Sequence, residues 1–314
     1  MNPVYLATAR LMTRVAPWLF TDGVFALKGG TAINLFVRDL PRLSVDLDLV
    51  LVDHHLERAG AMALIDRSLR GAARTLGQRG FDIHIATSGT AGSTKLLVRR
   101  GPLQVKVEAN TVLRGVVHPV RAMALTPRAR EILAADIELP VVSLADLYGG
   151  KIIAALDRQH PRDLFDVMEL RLHEGITPAI RRSAVVYLAS HNRPMHEVLA
   201  PTLRDISYEF RSSFDGMTAA PVALTALLAT RDSLAADFHA GLDVDERAFL
   251  SSLARNAPEW QRLGIDHLHR LPAIRWKLAN LERLATSDPQ KYRQQVDRLE
   301  GLFTVRRGND GISP

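Results

Sequence analysis

Between residues 44 and 49 the sequence Ser-Val-Asp-Leu-Asp-Leu alternates strictly between polar and apolar side chains. A β-strand is the backbone that sends successive side chains to opposite faces, so Val45, Leu47 and Leu49 are expected in a core and Ser44, Asp46 and Asp48 together on the other face. What precedes this strand is equally restrictive. Residues 24–27 form an apolar run suited to a buried strand, and Lys28-Gly29-Gly30-Thr31 turns it into a helical pattern over 32–37. Arg38-Asp39-Leu40-Pro41 then breaks the helix.

Two carboxylates on one strand face repel each other. The arrangement is tolerable on a face open to water, or where a divalent cation takes the oxygens as ligands, as Mg²⁺ prefers. An Asp-x-Asp strand taken alone also reads as an ordinary wet face. The Gly-Gly helix start just before it adds backbone N–H groups that can turn toward phosphate, and the two together suit a nucleotide–Mg²⁺ complex.

At 314 residues and 47% hydrophobic, the chain can bury a full core and is expected to be bilobed. No apolar window is long enough and free enough of charge to span a bilayer, and Arg10 and Arg14 interrupt the N-terminal apolar pattern. The chain therefore reads as cytoplasmic, with no membrane partner. It has no cysteine, which removes disulfides and thiolate metal sites. A net charge of +6 and a pI near 9.9 make nucleic acid a plausible partner without identifying one.

The remaining pattern suggests an α/β (α+β) arrangement: a mixed sheet in residues 1–140, then a helical domain over 141–314. Residues 4–20 form a helix backing the sheet, and 54–78 a crossover helix. Residues 81–87, 94–99 and 103–109 are three strands, antiparallel in sequence, separated by the turn signals Ser88-Gly89-Thr90-Ala91-Gly92 and Gly101-Pro102. On the last strand Lys106 and Glu108 share a face. Glu108 either adds a third carboxylate to the metal set or forms an ion pair on a solvated edge. Residues 110–140 lack a clear pattern. Ser143 reads as the cap of a helix through Leu156, with Asp146 at its third position. Gly149 and Gly150 inside that helix imply close approach of a nucleotide or another backbone beside Lys151. Pro161 starts the next helix, on which Asp163 and Asp166 face the same way and can cap it, pair with Arg158 or Arg162, or reach Lys151. From 171 to 300 the pattern is helical with scattered arginines, and 306–314 reads as a disordered tail.

Gly29-Gly30-Thr31, Ser44-Val45-Asp46-Leu47-Asp48, the Lys151 helix and Arg162-Asp163-Leu164-Phe165-Asp166 resemble, in order and spacing, the four-motif signature of AbiEii/AbiGii-type nucleotidyltransferase toxins. These belong to type IV toxin–antitoxin systems and the MenT group, within the DNA polymerase β-like nucleotidyltransferase superfamily. The resemblance implies that Lys28, Gly29, Gly30, Thr31 and Ser44 border the nucleotide, that Asp46 and Asp48 bind Mg²⁺ with Glu108 as an added ligand, and that Lys151 neutralises the triphosphate. Of the two acids in Arg-Asp-x-x-Asp, Asp166 is the expected catalytic one and Asp163 its companion. Asp146 stands where the family places a glutamate. Lys151 is expected to contribute charge and not structure.

The implied function is transfer of NMP from an NTP to an acceptor hydroxyl, with a tRNA 3′ end as acceptor, Mg²⁺ (or Mn²⁺) as cofactor and a cognate antitoxin as protein partner. Two-metal catalysis is the implied mechanism, with ions about 3.5–4 Å apart. The alternatives are a nucleotidyltransferase acting on a small molecule or protein side chain, and a non-catalytic nucleotide- or RNA-binding protein.

Overall fold

The computed structural model describes residues 2–88 and 93–304. Residues 89–92 of the expected Ser88–Gly92 turn and the tail at 306–314 lie outside the described residues, and Ser88 itself ends β3. In chain order the elements are α1 (Pro3–Val15), β1 (Phe25–Lys28), α2 (Gly29–Ala32), β2 (Asp46–Leu51), α3 (Arg58–Gln78), β3 (Asp82–Ser88), β4 (Ser93–Arg100) and β5 (Leu103–Asn110). Next come β6 (Arg121–Ala124), α4 (Pro127–Leu133), β7 (Glu138–Val141), α5 (Leu144–Arg158), α6 (Pro161–Leu172) and α7 (Pro178–Ala189). The described chain closes with α8 (Met195–Leu199), α9 (Ser207–Ser213), α10 (Leu224–Gly241), α11 (Val244–Ala254), α12 (Pro272–Ser287) and α13 (Pro289–Thr304).

The strands form one seven-stranded mixed sheet in the order β3-β4-β5-β2-β1-β7-β6. The β3, β4 and β5 strands pair antiparallel, as the alternating runs imply. The central β2 runs parallel to β5 and antiparallel to β1, and β1 runs parallel to β7. Along β2, Leu47 and Leu49 are buried while Asp46 and Asp48 are half-buried, which is the alternation read from the sequence. One continuous apolar core joins Met12 of α1, Leu27, Leu49 and Val107 of the sheet, and Ile152, Val185 and Leu250 of the later helices. The described segment after Leu144 contains helices and turns, with no named strand.

Two boundaries differ from the sequence pattern. The crossover helix begins at Arg58 instead of residue 54, because the Asp53 side chain accepts from His55 N at 2.7 Å and diverts the chain in a local turn. Helix α2 widens over Ile33–Val37 into π-type turns, ending where Arg38 N donates to Ile33 O at 2.7 Å. The unpatterned 110–140 region contains two four-residue strands and a seven-residue helix, too short to leave a period in the sequence. No described helix is long and apolar enough to cross a membrane.

Candidate active site

Cross-strand register assembles the site. Lys28 of β1 lies opposite Asp48 of β2, Asp48 opposite Glu108 of β5, and Glu108 opposite Lys95 of β4. Side chains at opposed positions share a face, so four strands present a row of charge, Lys-Asp-Glu-Lys, with two adjacent carboxylates flanked by lysines. Asp46, two residues before Asp48, lies on the same face with Arg162 Nη1 3.8 Å from its carboxylate. Burial, and then the charge of Asp48, push the Asp46 pKa up. Asp48 makes no ion pair among the described residues.

Glu108 does not complete a three-carboxylate cage. Its oxygens are taken by Lys95 at 2.5 Å and Lys106 at 2.6 Å. Burial favours its protonated form, but hydrogen bonds from the two lysines override this and lower its pKa. Among the described residues no group of three or more His, Asp or Glu is placed to hold a metal ion.

Gly29 adopts φ +77°, and a Cβ there would stand 2.4 Å from Asp48 Oδ2, so the glycine lets the backbone pass directly beside the carboxylate. Gly30 is similarly close to Arg42 Nη2, at 2.6 Å from a Cβ position. Thr31 and Ser44 were expected at the phosphates, yet both side chains are buried beneath this turn. The Thr31 hydroxyl hydrogen-bonds Ser44 Oγ at 2.9 Å and the Asp46 carbonyl at 2.5 Å. Ser44 precedes the first residue of β2, so it does not continue the open face of Asp46 and Asp48. These two hydroxyls fix the start of β2.

Behind the face, α5 and α6 hold a chain of alternating charges. Lys151 Nζ lies 2.9 Å from Asp163 and 3.1 Å from Asp166; Arg158 pairs with Asp163 at 2.5 Å, and Arg42 with Asp166 at 2.6 Å. Asn34 Nδ2 donates to Asp166 at 3.0 Å. Burial favours the neutral carboxyls, but Lys151 with Arg158 holds Asp163 below the usual carboxylate range, and Arg42 with Lys151 does the same for Asp166. Burial lowers the Lys151 pKa, and Asp163 and Asp166 more than reverse that. The expectation that Lys151 supplies charge but no structure therefore does not hold. Asp166, 1% exposed, faces cations and not the Asp46–Asp48 surface.

Ser143 caps α5 as expected, and Asp146 accepts from Val117 N and His118 N at 3.0 Å each, anchoring the preceding loop. The close approach at Gly149 is to a backbone: a Cβ would meet Ala184 N of α7 at 2.8 Å. Gly150 instead opens onto a cleft of about 590 Å³, bordered also by Lys28, Gly29, Asp48, Lys151 and Arg158. That volume is in the range of small-molecule sites. Burial lowers the Lys28 pKa, with Asp48 and Asp146 partly opposing. Its amine makes no hydrogen bond or ion pair among the described residues.

The sequence matches the family described as "Nucleotidyl transferase AbiEii toxin, Type IV TA system" over residues 10–280. The chain belongs to this AbiEii family. None of the curated protein sequences matches it. Its fold is similar to that of MenT4, a nucleotidyltransferase toxin from Mycobacterium tuberculosis H37Rv, with TM-score 0.57 and 20% identity over 88% of this chain and 93% of that one.

In this AbiEii-family protein the motif residues meet across long separations, and some partners carried no motif. Arg42 left no signal, since its partner lies 124 residues further along the chain. Lys95 is recoverable only through the β4–β5 register. The donor chemistry of Asp46 and Asp48 fits a hard divalent cation: two carboxylates share a face, their repulsion is only partly relieved, and Asp48 makes no ion pair among the described residues.

Proposed function

We propose that this AbiEii-family nucleotidyltransferase toxin moves a nucleoside monophosphate from an NTP to the 3′-terminal hydroxyl of tRNA, blocking translation. A bond forms between the acceptor oxygen and the α-phosphorus. The bond from that phosphorus to the bridging oxygen breaks, pyrophosphate leaves, and the hydroxyl proton passes to solvent. The observation that supports this reading best is the Asp46–Asp48 pair beside a nucleotide-sized cleft bordered by Lys28, Lys151 and Arg158.

Asp46 and Asp48 would hold Mg²⁺, which when bound supplies Lewis-acid stabilisation of the phosphoryl oxygens. Lys28, a cleft cation with no hydrogen bond or ion pair among the described residues, is suited to meet a phosphate directly. Lys151 and Arg158 add positive potential from the opposite wall while remaining tied to Asp163. Gly29 leaves the phosphates room to approach Asp48. The basic pI favours an RNA acceptor, and membership of a type IV toxin–antitoxin family makes an antitoxin the protein partner.

The test is incubation of the protein with each α-labelled NTP, Mg²⁺ and total tRNA. Label at the tRNA 3′ end is the expected result. Label only on protein or on small molecules would replace the acceptor assignment, and no label in any fraction would overturn transfer.

A further inference from the structure

A second cationic group lies just past the cleft wall. Residues 110–113 line the cleft, and the next residue, Arg114, is 8% exposed. Its Nε and Nη1 are buried without a hydrogen-bond partner, whereas buried guanidinium donors are normally satisfied. The loop is held in place on both sides. Gly115 N donates to Leu51 O at 2.8 Å, and at φ +83° a Cβ on Gly115 would stand 2.6 Å from His54 Cβ and 3.1 Å from Leu271 Cδ2. Arg114 thus sits between the end of β2 and the start of α12.

Its neighbours add to the charge. Burial first, then Arg58 at the start of α3 and Arg275 on α12, press the Arg114 pKa down, with Glu57 opposing. Glu57 is shared, since Arg275 Nη1 lies 3.4 Å from it. Three guanidiniums around one exposed carboxylate leave net positive charge. Next to Arg275, Trp276 is 49% exposed although α12 buries Ile274 and Lys277.

We propose that Arg58, Arg114 and Arg275 form a phosphate subsite for the backbone of the RNA acceptor, with Trp276 as a face on which an unpaired base stacks. The proposal rests on the RNA-acceptor reading above. Guanidiniums match phosphate geometry through paired N–H donors, and exposed indole rings stack bases without regard to sequence. Arg114 borders a small hollow that Lys28 also lines, next to the cleft at residues 110–113, while Arg58 and Arg275 border neither, so the group adjoins the nucleotide cleft and suits an acceptor phosphate entering it.

The test is fluorescence anisotropy with a hairpin RNA bearing a single-stranded 3′ tail, over a salt series, together with thermal melts with and without NTP·Mg²⁺. Arg58→Glu/Arg275→Glu is expected to weaken RNA binding about tenfold or more and to flatten the log K against log salt slope by about 1.4. Arg114→Gln weakens RNA binding yet raises the melting temperature of the free protein, because a buried unpaired cation is removed. Trp276→Ala weakens binding with the slope unchanged. The nucleotide-induced melting shift stays at the wild-type value in all three. Should Arg114→Gln fail to fold, the exposed double variant decides. Wild-type RNA affinity and slope in the double variant overturn the subsite, whereas a wild-type protein that binds no RNA overturns the acceptor reading itself. Loss of binding to poly-L-glutamate, with RNA binding retained, reassigns the face to an acidic protein and also overturns the proposal.

Discussion

Arg42 grips Asp166 with two parallel hydrogen bonds, Nε to Oδ1 at 2.8 Å and Nη2 to Oδ2 at 2.6 Å, and both side chains are closed to solvent. The pair ties the loop before β2 to α6, so the strand carrying Asp46 and the helix facing it are held in one register. Removing either partner leaves a buried charge short of its main counter-ion.

Arg42→Ala is therefore expected to destabilise the fold by about 3–5 kcal/mol. Arg42→Met combined with Asp166→Leu removes both charges and should recover much of that loss. Urea unfolding of the three variants measures both effects, and a double variant no more stable than Arg42→Ala would contradict the buried-pair account.

Asp46 has its folded pKa raised above the ordinary 3.8, so its ionised form is the disfavoured one in the metal-free fold. That penalty is present at pH above the folded value and disappears as pH falls through it. Asp46→Asn should raise the metal-free melting temperature at pH 7 and abolish nucleotide transfer. Mg²⁺ should raise the melting temperature of the wild type but much less that of the variant, and after chelation Mn²⁺ should restore wild-type transfer. Transfer by Asp46→Asn at the wild-type rate would remove Asp46 from the metal set.

Lys151→Ala is expected to cost about 3 kcal/mol at pH 7, since Asp163 and Asp166 each lose a buried cation. The sign with pH follows from Asp163. Its folded pKa is lowered, so its stabilising contribution is present above about 3.8 and is lost as pH falls below it. Without Lys151 that folded pKa rises toward the ordinary value, and the variant should lose less additional stability between pH 5 and pH 3 than the wild type. Unfolding curves at both pH values check this; parallel losses would mean that Lys151 does not control Asp163.

The two adjacent glycines of α5 should respond differently to alanine. At Gly149 the added methyl meets the α7 backbone at 2.8 Å, which forces the helices apart and costs about 1–3 kcal/mol. At Gly150 it meets the Tyr187 ring at 3.4 Å, and the gain in helix propensity of about 1 kcal/mol offsets the tighter contact. Gly149→Ala should lower the melting temperature while Gly150→Ala leaves it within a degree or two and reduces nucleotide affinity by narrowing the cleft. Equal melting temperatures for the two would show that the helices yield freely at Gly149.

By itself the sequence determined the features set by short-range period: the alternation over 44–49, the Gly-Gly turn, the capped helix at Ser143, the Pro161 helix start and the order of the motifs. Backbone geometry decides these within a few residues, so they leave a local trace. Only the tertiary structure decided which charges face which. Period two extends the Asp46–Asp48 face to Ser44, but β2 starts at Asp46, and tertiary hydrogen bonding turns Ser44 toward Thr31. The sequence left Asp163 and Asp166 free to cap their helix, pair with Arg158 or Arg162, or reach Lys151; the fold selects Lys151 and Arg158 and adds Arg42 as a partner that no spacing suggested. Glu108 read equally as metal ligand or ion pair, and the β4–β5 register placed Lys95 against it. Pairings of this kind depend on register and helix packing over tens to more than a hundred residues. No local pattern encodes them, because a lone charged side chain reads the same whether water or a buried counter-ion satisfies it.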